Sequence, residues 1–361
     1  MTKEDINVIS NSSFDKAVQK SKLLETDLYK NPTKYRVLTG DRPTGNLHIG
    51  HYFGSILNRV KLQDIGVETY ILIADYQVLT DRDVFKDISK YVFELTLDYL
   101  ACGLDPKQHK TYIFPHSHIP ELNQLLVPFL SLVSLSELNK NPTVKEEISV
   151  SGKEIINAGM YTYPVHQAAD ILFCKSNVVP VGKDQLPHIE LTRTIAKRFN
   201  SKFNTNLFPE PTGLLSESPM ILGLDGNQKM SKSRNNSIMI KATEDETYKL
   251  IKSAKTDLER YITFDPVNRP EVANLLRLSS LCLGESPDDI AKRIGNLGSG
   301  KLKQITTDAL NSYFKEIREK RNQLEQDESY VRSFLQDGIK KARETAIQTL
   351  SEVREAMNMM I

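Results

Sequence analysis

The sequence predicts an α/β protein whose parallel sheet is followed by an all-helical C-terminal part. Short β-rich or apolar runs alternate with amphipathic segments between residues 35 and 199, as in repeated strand–helix–strand units. From Glu244 onward the strand signals fade, and long charged segments with apolar residues at three-to-four spacing take over. We therefore place the boundary between the two parts near residue 243.

The composition is that of a globular protein with more than one core. A chain of 361 residues is longer than one hydrophobic core usually supports, so two domains are expected. Hydrophobic residues make up 39% and charged residues 26%, and no run approaches the roughly 18 apolar residues of a membrane span. The N-terminus carries early acidic residues and no apolar signal core, so we expect a cytoplasmic protein that does not contact membranes.

The net charge and the spacing of the cysteines limit the binding partners and the metal sites that the chain is expected to have. The net charge of +1 is not that of a general nucleic-acid binder, although a local basic face can lie within a neutral total. Cys102, Cys174 and Cys282 lie too far apart for a CxxC metal site, and an odd number does not fit a disulfide framework. The cysteines therefore agree with a cytoplasmic location.

The first elements have the order of a nucleotide-binding unit. Residues 1–34 are polar and charged, and we predict an N-terminal extension with a helical stretch over residues 14–28. Residues 35–39 form a β-rich run, which ends at the glycine- and proline-bearing turn of residues 40–45. Helical spacing resumes after Leu47, with apolar residues on one face at Ile49, Phe53, Ile56, Leu57 and Val60. A strand, a glycine turn and a helix typically open a nucleotide-binding α/β unit.

The later elements continue this alternation and then become helical. Further strands are predicted at residues 68–75, 111–114 and 178–182, the first with the continuous apolar character of a parallel sheet. Helices are predicted over residues 84–100, most of 121–152, and 188–199, with a mobile loop at 140–143. The C-terminal part carries long amphipathic helices over residues 303–325 and 331–357.

The segment His48-Ile49-Gly50-His51 places two histidines three residues apart at a helix start. Such residues share one side of the first turn, where free backbone N–H groups and the helix dipole favour phosphate. We predict that both imidazoles donate to a triphosphate and that Gly50, which lacks a Cβ, lets adenine approach the backbone. A helix cap and a solvated histidine would explain an arbitrary pair, but the preceding strand and turn place this pair at the carboxyl edge of the sheet.

The segment Lys229-Met230-Ser231-Lys232-Ser233 follows a glycine turn at residues 224–227. Two lysines and two hydroxyls on a flexible loop can surround a pyrophosphate leaving group, where their charge matters most as the bond between the α- and β-phosphates breaks. An ordinary basic surface loop is the alternative, but the apolar Met230 would anchor the loop. The two motifs, in this order, indicate adenylate-forming chemistry on ATP, with Mg²⁺ arriving with the nucleotide.

A third cluster selects the substrate. Residues 163–170 predict a helix that starts after Pro164 and brings Tyr163, Gln167 and Asp170 within two turns. A buried carboxylate beside an apolar pocket is costly unless it accepts a hydrogen bond from the ligand. The nitrogen of indole is a donor only, so a carboxylate is its natural partner. From these eight residues alone, an indole contact and a structural hydrogen bond to a neighbouring turn are equally supported.

Two weaker patterns complete the set. In Gly182-Lys183-Asp184-Gln185, which ends a predicted strand, Asp184 is suited to ribose hydroxyls and Gln185 to the amino acid. The pair His116 and His118 has metal-like spacing, but no third ligand is apparent from the sequence. We interpret these histidines as surface or helix-capping residues and predict no structural metal.

Together these motifs resemble tryptophanyl-tRNA synthetases, which are class I aminoacyl-tRNA synthetases. The resemblance runs from about Tyr35 to the C-terminus, and its carriers are residues 39–52, 163–172, 179–185, 229–233 and 274–276. It implies a Rossmann-like catalytic domain over residues 35–243, with a helical insertion at about 80–160, and a helical anticodon-binding domain over 244–361. It also implies a homodimer that activates L-tryptophan with ATP, releases pyrophosphate, and transfers tryptophan to tRNA(Trp).

The resemblance implies roles for individual residues. Asp170 stands where the family holds the indole nitrogen, in a pocket to which Leu38, Tyr163, Gln167, Val179, Val181 and Gln185 contribute. Catalysis is assigned to His48, His51, Lys229 and Lys232. The ATP-binding set comprises Arg42, Pro43, Thr44, Gly50, His51, Gly182, Lys183, Asp184, the backbone at Met220, and Lys229, Met230, Ser231, Lys232 and Ser233.

Tyrosine activation is the main alternative among enzymes. Tyrosyl-tRNA synthetases share this architecture and an aspartate at the position of Asp170. However, Leu38 stands where tyrosine enzymes usually carry a tyrosine, and the Val-Pro-Val-Gly run of residues 179–182 is of the tryptophan type. Arg42 and Gln167 differ from the Gln and Met of many bacterial tryptophan enzymes and resemble a divergent, auxiliary-type branch.

Two further functional classes remain as alternatives. A synthetase-like paralogue with a binding or regulatory role would be indicated by the loss of His51, Asp170 or Lys232, and all three are present. Another kind of nucleotidyltransferase would share the histidine motif but would need neither Asp170 nor the helical C-terminal part. Tryptophan–tRNA ligation remains the favoured function.

Overall fold

Five strands form one parallel sheet. The structure, a computed structural model, describes residues 3–81, 87–151, 156–215 and 221–361. Neighbouring strands are parallel throughout this sheet, and their spatial order is β3-β2-β1-β4-β5. The strands are β1 (Arg36–Asp41), β2 (Glu68–Ile73), β3 (Thr111–Pro115), β4 (Val178–Val181) and β5 (Thr212–Leu215).

Helices cover both faces of the sheet and make up the C-terminal part. They are α1 (Lys3–Lys30), α2 (Ile49–His51), α3 (Leu57–Asp64), α4 (Val78–Asp81), α5 (Ile88–Ala101), α6 (Pro120–Gln124), α7 (Leu126–Leu130), α8 (Leu135–Lys140), α9 (Pro142–Ser151), α10 (Ala158–Leu172), α11 (Leu186–Lys202), α12 (Glu244–Ser253), α13 (Pro270–Leu283), α14 (Pro287–Ile294), α15 (Gly298–Glu325) and α16 (Glu328–Ala356). A π-helical segment, Tyr52–Ile56, joins α2 to α3.

The strand order creates a crevice beside β1. The chain proceeds from β1 through β2 to β3 on one side, and then returns to place β4 and β5 on the other. Ligands of open parallel sheets bind outside the carboxyl ends of the strands at such a reversal. Because β1 ends at Asp41 and β4 at Val181, the segments that follow these two residues face the same crevice.

Alternation along β2 separates two apolar cores. Ile71 and Ile73 belong to the core that contains α5 and α15, whereas Tyr70 and Leu72 belong to the core that contains α10 and α16. A strand buried on both faces needs apolar residues at successive positions, which explains its continuous apolar sequence. The predicted fold class is confirmed, since a parallel α/β sheet is followed by a helical C-terminal part.

The C-terminal helices return to the sheet. Helix α16 lies against β3, and a Cβ at Gly338 would stand 2.0 Å from the backbone oxygen of Ile113, so only glycine permits this approach. The hydroxyl of Thr349 donates to the backbone oxygen of Phe173 at 2.7 Å, next to the end of α10. The end of the chain therefore supports the sheet itself.

The N-terminal helix covers the opposite edge of the sheet. Helix α1 contacts β5, and Leu28 is fully buried among apolar residues that include Val37 and Leu214. The hydroxyl of Ser21 accepts the backbone N–H of Leu215 at 2.8 Å, which satisfies a donor on an edge strand. The helix predicted over residues 14–28 is thus present and longer than expected.

Three local expectations differ from the structure. Helix α10 begins at Ala158 rather than after Pro164, because the side chain of Asn157 accepts the backbone N–H of Met160 and caps the helix earlier. The loop expected at residues 140–143 is instead the junction of α8 and α9, where buried Asn141 accepts the backbone N–H of Thr143 at 3.0 Å. Strand β5 was not predicted, since its four residues carry a glycine and little periodicity.

Candidate active site

The two histidines of the first motif lie together at the start of α2. Their rings stack with centroids 3.6 Å apart, and Nδ1 of His51 accepts the backbone N–H of His48 at 3.2 Å. His51 therefore caps the turn. A Cβ at Gly50 would stand 3.0 Å from the ring of His48, so a larger residue there would press on the stacked rings. Both imidazoles line a cleft of about 560 Å³.

Burial keeps these imidazoles neutral. It lowers the pKa of His48 to about 3 and that of His51 to about 4, and the charges of Lys229 and Lys232 act in the same direction. A neutral imidazole carries one N–H donor, so each ring can donate to a phosphate oxygen without adding charge. The positive charge of the cleft comes from the lysines and from Arg234, a lining residue that the sequence analysis missed.

The second motif forms the other wall of this cleft. Lys229, Met230, Ser231 and Lys232 all line it, as does Thr44 of the first turn. The ammonium group of Lys232 donates to the backbone oxygen of Thr44 at 3.1 Å. The lysine motif is therefore in direct contact with the turn that precedes the histidine motif, and both motifs line the same cleft.

Met230 anchors the lysine loop as predicted. Its side chain is 3% exposed, and its backbone N–H donates to the backbone oxygen of Ile221. The next residue, Ser231, donates its backbone N–H to the side chain of Asn236 at 2.8 Å, and Asn236 donates in turn to Asp225. The loop is thus held from both ends, and its lysines are carried on an ordered turn.

A second cavity, of about 450 Å³, opens at the carboxyl ends of β1 and β4. It is lined by all seven residues predicted for the amino acid, and also by Arg42 and Gly182 from the predicted nucleotide set. The predicted lining residues are Leu38, Tyr163, Gln167, Asp170, Val179, Val181 and Gln185. The reversal in strand order therefore gathers these residues from three separate segments into one site.

Asp170 is held at the floor of this cavity. The residue is 1% exposed, and its Oδ1 lies 3.1 Å from Nδ1 of His116, which is fully buried. The backbone N–H of Tyr76 donates to Nε2 of His116 at 2.9 Å, so Nδ1 carries the proton and donates to the carboxylate. Oδ2 is buried and has no hydrogen-bond partner among the described residues. One oxygen is therefore held by the protein, and the other is a buried acceptor.

The expectation that His116 is a surface or capping residue was wrong. It lies 54 residues from Asp170 in sequence, and its position directly after β3, which pairs with β2, brings it within hydrogen-bond distance of that carboxylate. His118, by contrast, is exposed. A buried histidine next to a strand end is indistinguishable from a surface one in a single sequence.

The third ligand that was not apparent from the sequence is supplied by the fold. Ligand atoms of His116, His166 and Asp170 lie within 4.8 Å of one another, a grouping that could hold a metal ion. However, both ring nitrogens of His116 are already engaged, and Nε2 of His166 lies 2.7 Å from the side-chain oxygen of Asn123. His116 therefore has no lone pair left for a metal, because its Nδ1 carries a proton and its Nε2 already accepts a hydrogen bond. The absence of a structural metal stays a prediction.

A polar wall of the cavity also went unrecognised. The hydroxyl of Tyr163 lies 3.1 Å from Nε2 of His188, and Nδ1 of His188 lies 3.4 Å from the amide nitrogen of Asn141. Burial lowers the pKa of His188 to about 4, so this ring is neutral as well. His188 lies three residues after Gln185 at a helix start, and that spacing was the available signal.

The remaining residues predicted for the nucleotide lie on the segments that form the two cavities, although most of their side chains do not line them. Lys183 and Asp184 are exposed in the turn after β4, and the amide of Gln185 donates to Asp184 at 2.9 Å. Arg42 pairs with Glu147 at 3.3 Å and lies over the ring of Tyr163. Pro43 and Gly50 do not line either cavity but belong to the same segments. Met220 lies outside the described residues, and the placement of adenine there stays a prediction.

A buried ion pair fixes the turn between the cavities. Although burial opposes it, the charge of Arg59 lowers the pKa of Asp41 to about 2, and the two side chains lie 2.7 Å apart. The hydroxyl of Tyr99 also donates to Asp41. Asp41 ends β1 directly before Arg42, so this network sets where the first turn leaves the sheet.

Comparisons with known proteins agree with this geometry. The family model for class I tRNA synthetases (W and Y) matches residues 30–315. The tryptophan–tRNA ligase of Streptococcus pyogenes serotype M1 is 43% identical over 336 residues, covering 90% of this chain and 98% of that protein. The corresponding ligase of Lactococcus lactis is 42% identical with the same coverage.

A solved structure supports the same assignment. Tryptophanyl-tRNA synthetase from Campylobacter jejuni, in complex with ADP and tryptophan, superposes with a TM-score of 0.79 at 31% identity and covers 90% of this chain and 99% of that chain. Among the described residues, no helix combines the length and the apolarity needed to cross a membrane. The predicted family and the preference for tryptophan over tyrosine are confirmed. The chain belongs to the class I tRNA synthetases for tryptophan and tyrosine and, within that family, is a tryptophan–tRNA ligase.

Proposed function

We propose that the cavity of about 450 Å³ binds L-tryptophan and that Oδ2 of Asp170 accepts the indole N–H. The observation that carries this assignment is the buried Oδ2, which has no partner among the described residues while His116 occupies Oδ1. A buried acceptor without a partner is costly, and a donor-only ligand group removes that cost. Leu38, Val179 and Val181 supply apolar surface for the indole rings.

ATP is the nucleotide substrate of this ligase reaction, and we assign its triphosphate to the cleft of about 560 Å³. His48 and His51 donate from the helix start, while Lys229 and Lys232 face them across the cleft. The tryptophan carboxylate attacks the α-phosphorus, the bond from that phosphorus to the bridging oxygen breaks, and pyrophosphate leaves with the bond electrons. The lysines lower the barrier because they neutralise charge that grows on the leaving group.

Mg²⁺ is proposed to enter with ATP rather than to reside in the protein. Arg42 lines one cavity and the lysine loop lines the other, and these side chains are cationic. The metal would therefore be held mainly by phosphate oxygens and water, as Mg²⁺ prefers. No nucleophilic side chain is required. Positioning and electrostatics supply the rate, as in other phosphoryl-transfer sites.

The second half-reaction is assigned to the same site, with the helical part of residues 244–361 reading the anticodon of tRNA(Trp). The terminal ribose hydroxyl of the tRNA attacks the carbonyl carbon of the adenylate, and AMP leaves. We also propose a homodimer. Its support is exposed apolar surface on two short helices that pack against α10: Val127 of α7 is 72% exposed and Leu135 of α8 is 68% exposed.

The assignment of Asp170 is tested by Asp170→Asn in amino-acid-dependent pyrophosphate exchange. The introduced amide presents its NH₂ donor either to His116 or to the indole, and both of these groups are donors themselves. The KM for tryptophan should therefore rise by a factor that corresponds to about 1–3 kcal/mol of lost binding free energy. The KM for ATP should be unchanged. Asp337→Asn, an exposed change of the same kind on α16, is the control.

An unchanged KM for tryptophan in the Asp170 variant contradicts the indole contact. Exchange by the wild-type enzyme that depends on tyrosine rather than tryptophan contradicts the substrate assignment as a whole. Sedimentation of the wild type and of Leu135→Lys tests the dimer, and a monomeric wild type at micromolar concentration refutes it.

A further inference from the structure

Helix α15 of the C-terminal part contacts the segment that carries His48 and His51 from two sides. One contact is polar and reaches Leu47, before the motif, through the carboxylate of Asp98 on α5. The other is aromatic and lies after it, at Tyr52. Neither contact was anticipated from the sequence, because α15 begins about 250 residues later in the chain.

The polar contact runs through a fully buried carboxylate. Oδ2 of Asp98 accepts the backbone N–H of Leu47 at 2.9 Å, and Oδ1 accepts Nε of Arg321 at 2.7 Å. Asp98 is 0% exposed and Arg321 is 2% exposed. Arg321 also donates to Glu94, one turn earlier on α5. Each oxygen of Asp98 is thus committed, one to α15 and one to the backbone directly before His48.

The aromatic contact follows the second histidine. The ring of Tyr52 lies 5.1 Å from that of Phe314, edge to face, and its hydroxyl lies 3.4 Å from the hydroxyl of Tyr313. Phe53 packs on the same two residues. Edge-to-face pairs have defined geometry in addition to their buried area, so α15 constrains the far end of the motif as well.

The lysine-loop side is tied to the same cluster. The backbone oxygen of Leu47 accepts the N–H of Ile240 at 3.0 Å, and the N–H of Ile49 donates to the backbone oxygen of Ile238 at 2.9 Å. Lys241 then lies 3.6 Å from Glu94, which Arg321 already holds. The Asp98–Arg321 pair is therefore linked both to the segment after the lysine loop and to the segment around His48.

We propose that Arg321 is a positioning residue for adenylate formation, which acts through Asp98 and the N–H of Leu47 to hold His48 and His51 in the triphosphate cleft. A buried ion pair is weak evidence for stability, since apolar residues of similar volume usually serve as well. Its advantage here is geometric, because charge-assisted hydrogen bonds from the planar guanidinium of Arg321 hold the carboxylate of Asp98 in one orientation. The helical C-terminal part is thereby a component of the ATP site.

The inference rests on the proposed role of His48 and His51, and the two can fail separately. His48→Ala tests that role directly: a fully active variant refutes the histidine assignment whatever Arg321 does. The variant for the positioning role is the neutral pair Asp98→Asn/Arg321→Gln, which avoids leaving an unpaired buried charge. The matched control is Glu121→Gln/Arg343→Gln, which neutralises another ion pair between the C-terminal part and the rest of the chain, at an exposed site away from the cleft.

We expect the Asp98/Arg321 pair variant to lose about 10- to 100-fold in kcat for pyrophosphate exchange, since misplacement by about 1 Å can cost that much. Its KM for tryptophan should stay within about twofold, because the tryptophan cavity is not contacted. The control should keep both constants. A variant that melts at a lower temperature but keeps its kcat well below that temperature shows a purely structural pair and overturns the proposal.

If the Asp98→Asn/Arg321→Gln variant does not unfold cooperatively, a second variant provides the test. Arg321→Lys retains the charge but cannot donate to both Asp98 and Glu94 with a planar fork. We expect it to fold and to show the same selective loss of kcat. An Arg321→Lys enzyme with the kcat of the wild type refutes the positioning role.

Discussion

Nδ1 of His116 donates to Oδ1 of Asp170 over 3.1 Å, and the two side chains are almost completely buried. The donor is defined, since Nε2 of the same ring accepts the backbone N–H of Tyr76. Asp170 therefore has one oxygen committed to the protein and one facing the cavity. This division orients the carboxylate before any substrate arrives, which lowers the cost of ordering it on binding.

Removing the His116 donor should weaken tryptophan binding. We expect His116→Ala to raise the KM for tryptophan about tenfold, which corresponds to about 1.4 kcal/mol for a lost buried partner. His116→Asn places an amide N–H near the position of Nδ1 and should restore most of the affinity. Steady-state pyrophosphate exchange with tryptophan and ATP varied in turn separates the two substrates. Equal changes in both KM values would show a general disturbance of the fold instead.

Lys232 should act on the rate rather than on tryptophan binding. In the structure its ammonium group lines the cleft and donates one of its three N–H groups to the backbone oxygen of Thr44, so it need not leave that contact to reach the phosphates. We expect Lys232→Ala to lower kcat for activation by about 100-fold or more, as for loss of one donor that stabilises developing charge. The dissociation constant of tryptophan, measured by calorimetry without ATP, should not change.

A matched change separates this effect from a loss of positive charge in general. Lys249→Ala removes an exposed lysine on α12 and should leave kcat unchanged. If Lys232→Ala weakens tryptophan binding as much as it lowers kcat, the transition-state role is refuted.

Acid should destabilise the protein through its buried histidines. Burial lowers the pKa of His48 to about 3 and that of His51 to about 4, below the ordinary value of 6.5. Between these values the unfolded chain binds protons that the folded chain does not, so stability falls as the pH drops below about 6.5. The low pKa of Asp41 continues the loss below about pH 4, because its ion pair with Arg59 disappears on protonation.

Thermal unfolding between about pH 7 and about pH 4.5 measures this effect. The double variant His48→Asn/His51→Asn keeps the acceptor that caps the turn but removes the two titrating rings. Its unfolding temperature should fall less over this interval than that of the wild type. An identical pH dependence would assign the loss to other groups.

Gly338 should be required for the packing of α16 on β3. A Cβ there would stand 2.0 Å from the backbone oxygen of Ile113, and neither helix nor strand backbone can yield without shifting. We expect Gly338→Ala to lower the free energy of unfolding by about 1–3 kcal/mol, the usual cost of overpacking. Gly300→Ala in α15, where a Cβ meets no atom within 4 Å, is the control and should be neutral or slightly stabilising.

Local patterns were sufficient for four of the five strands, for the long helices and for the two motifs. The stacked histidines are three residues apart, and the anchoring by Met230 lies within one pentapeptide, so both follow from helix and turn geometry over a few residues. The strands of the sheet were visible as apolar runs because parallel strands are buried on both faces. Strand β5 lacked that signal and was missed.

Only the tertiary structure decided which distant residues complete the site. His116 reaches Asp170 across 54 residues, and Arg321 reaches Asp98 across 223 residues, because strand order and helix packing bring them together. A single sequence carries no periodicity that joins such positions. Residue types and short-range spacing therefore determined the chemistry of this protein, and the packing of α15 and of the parallel sheet decided which buried groups hold that chemistry in place.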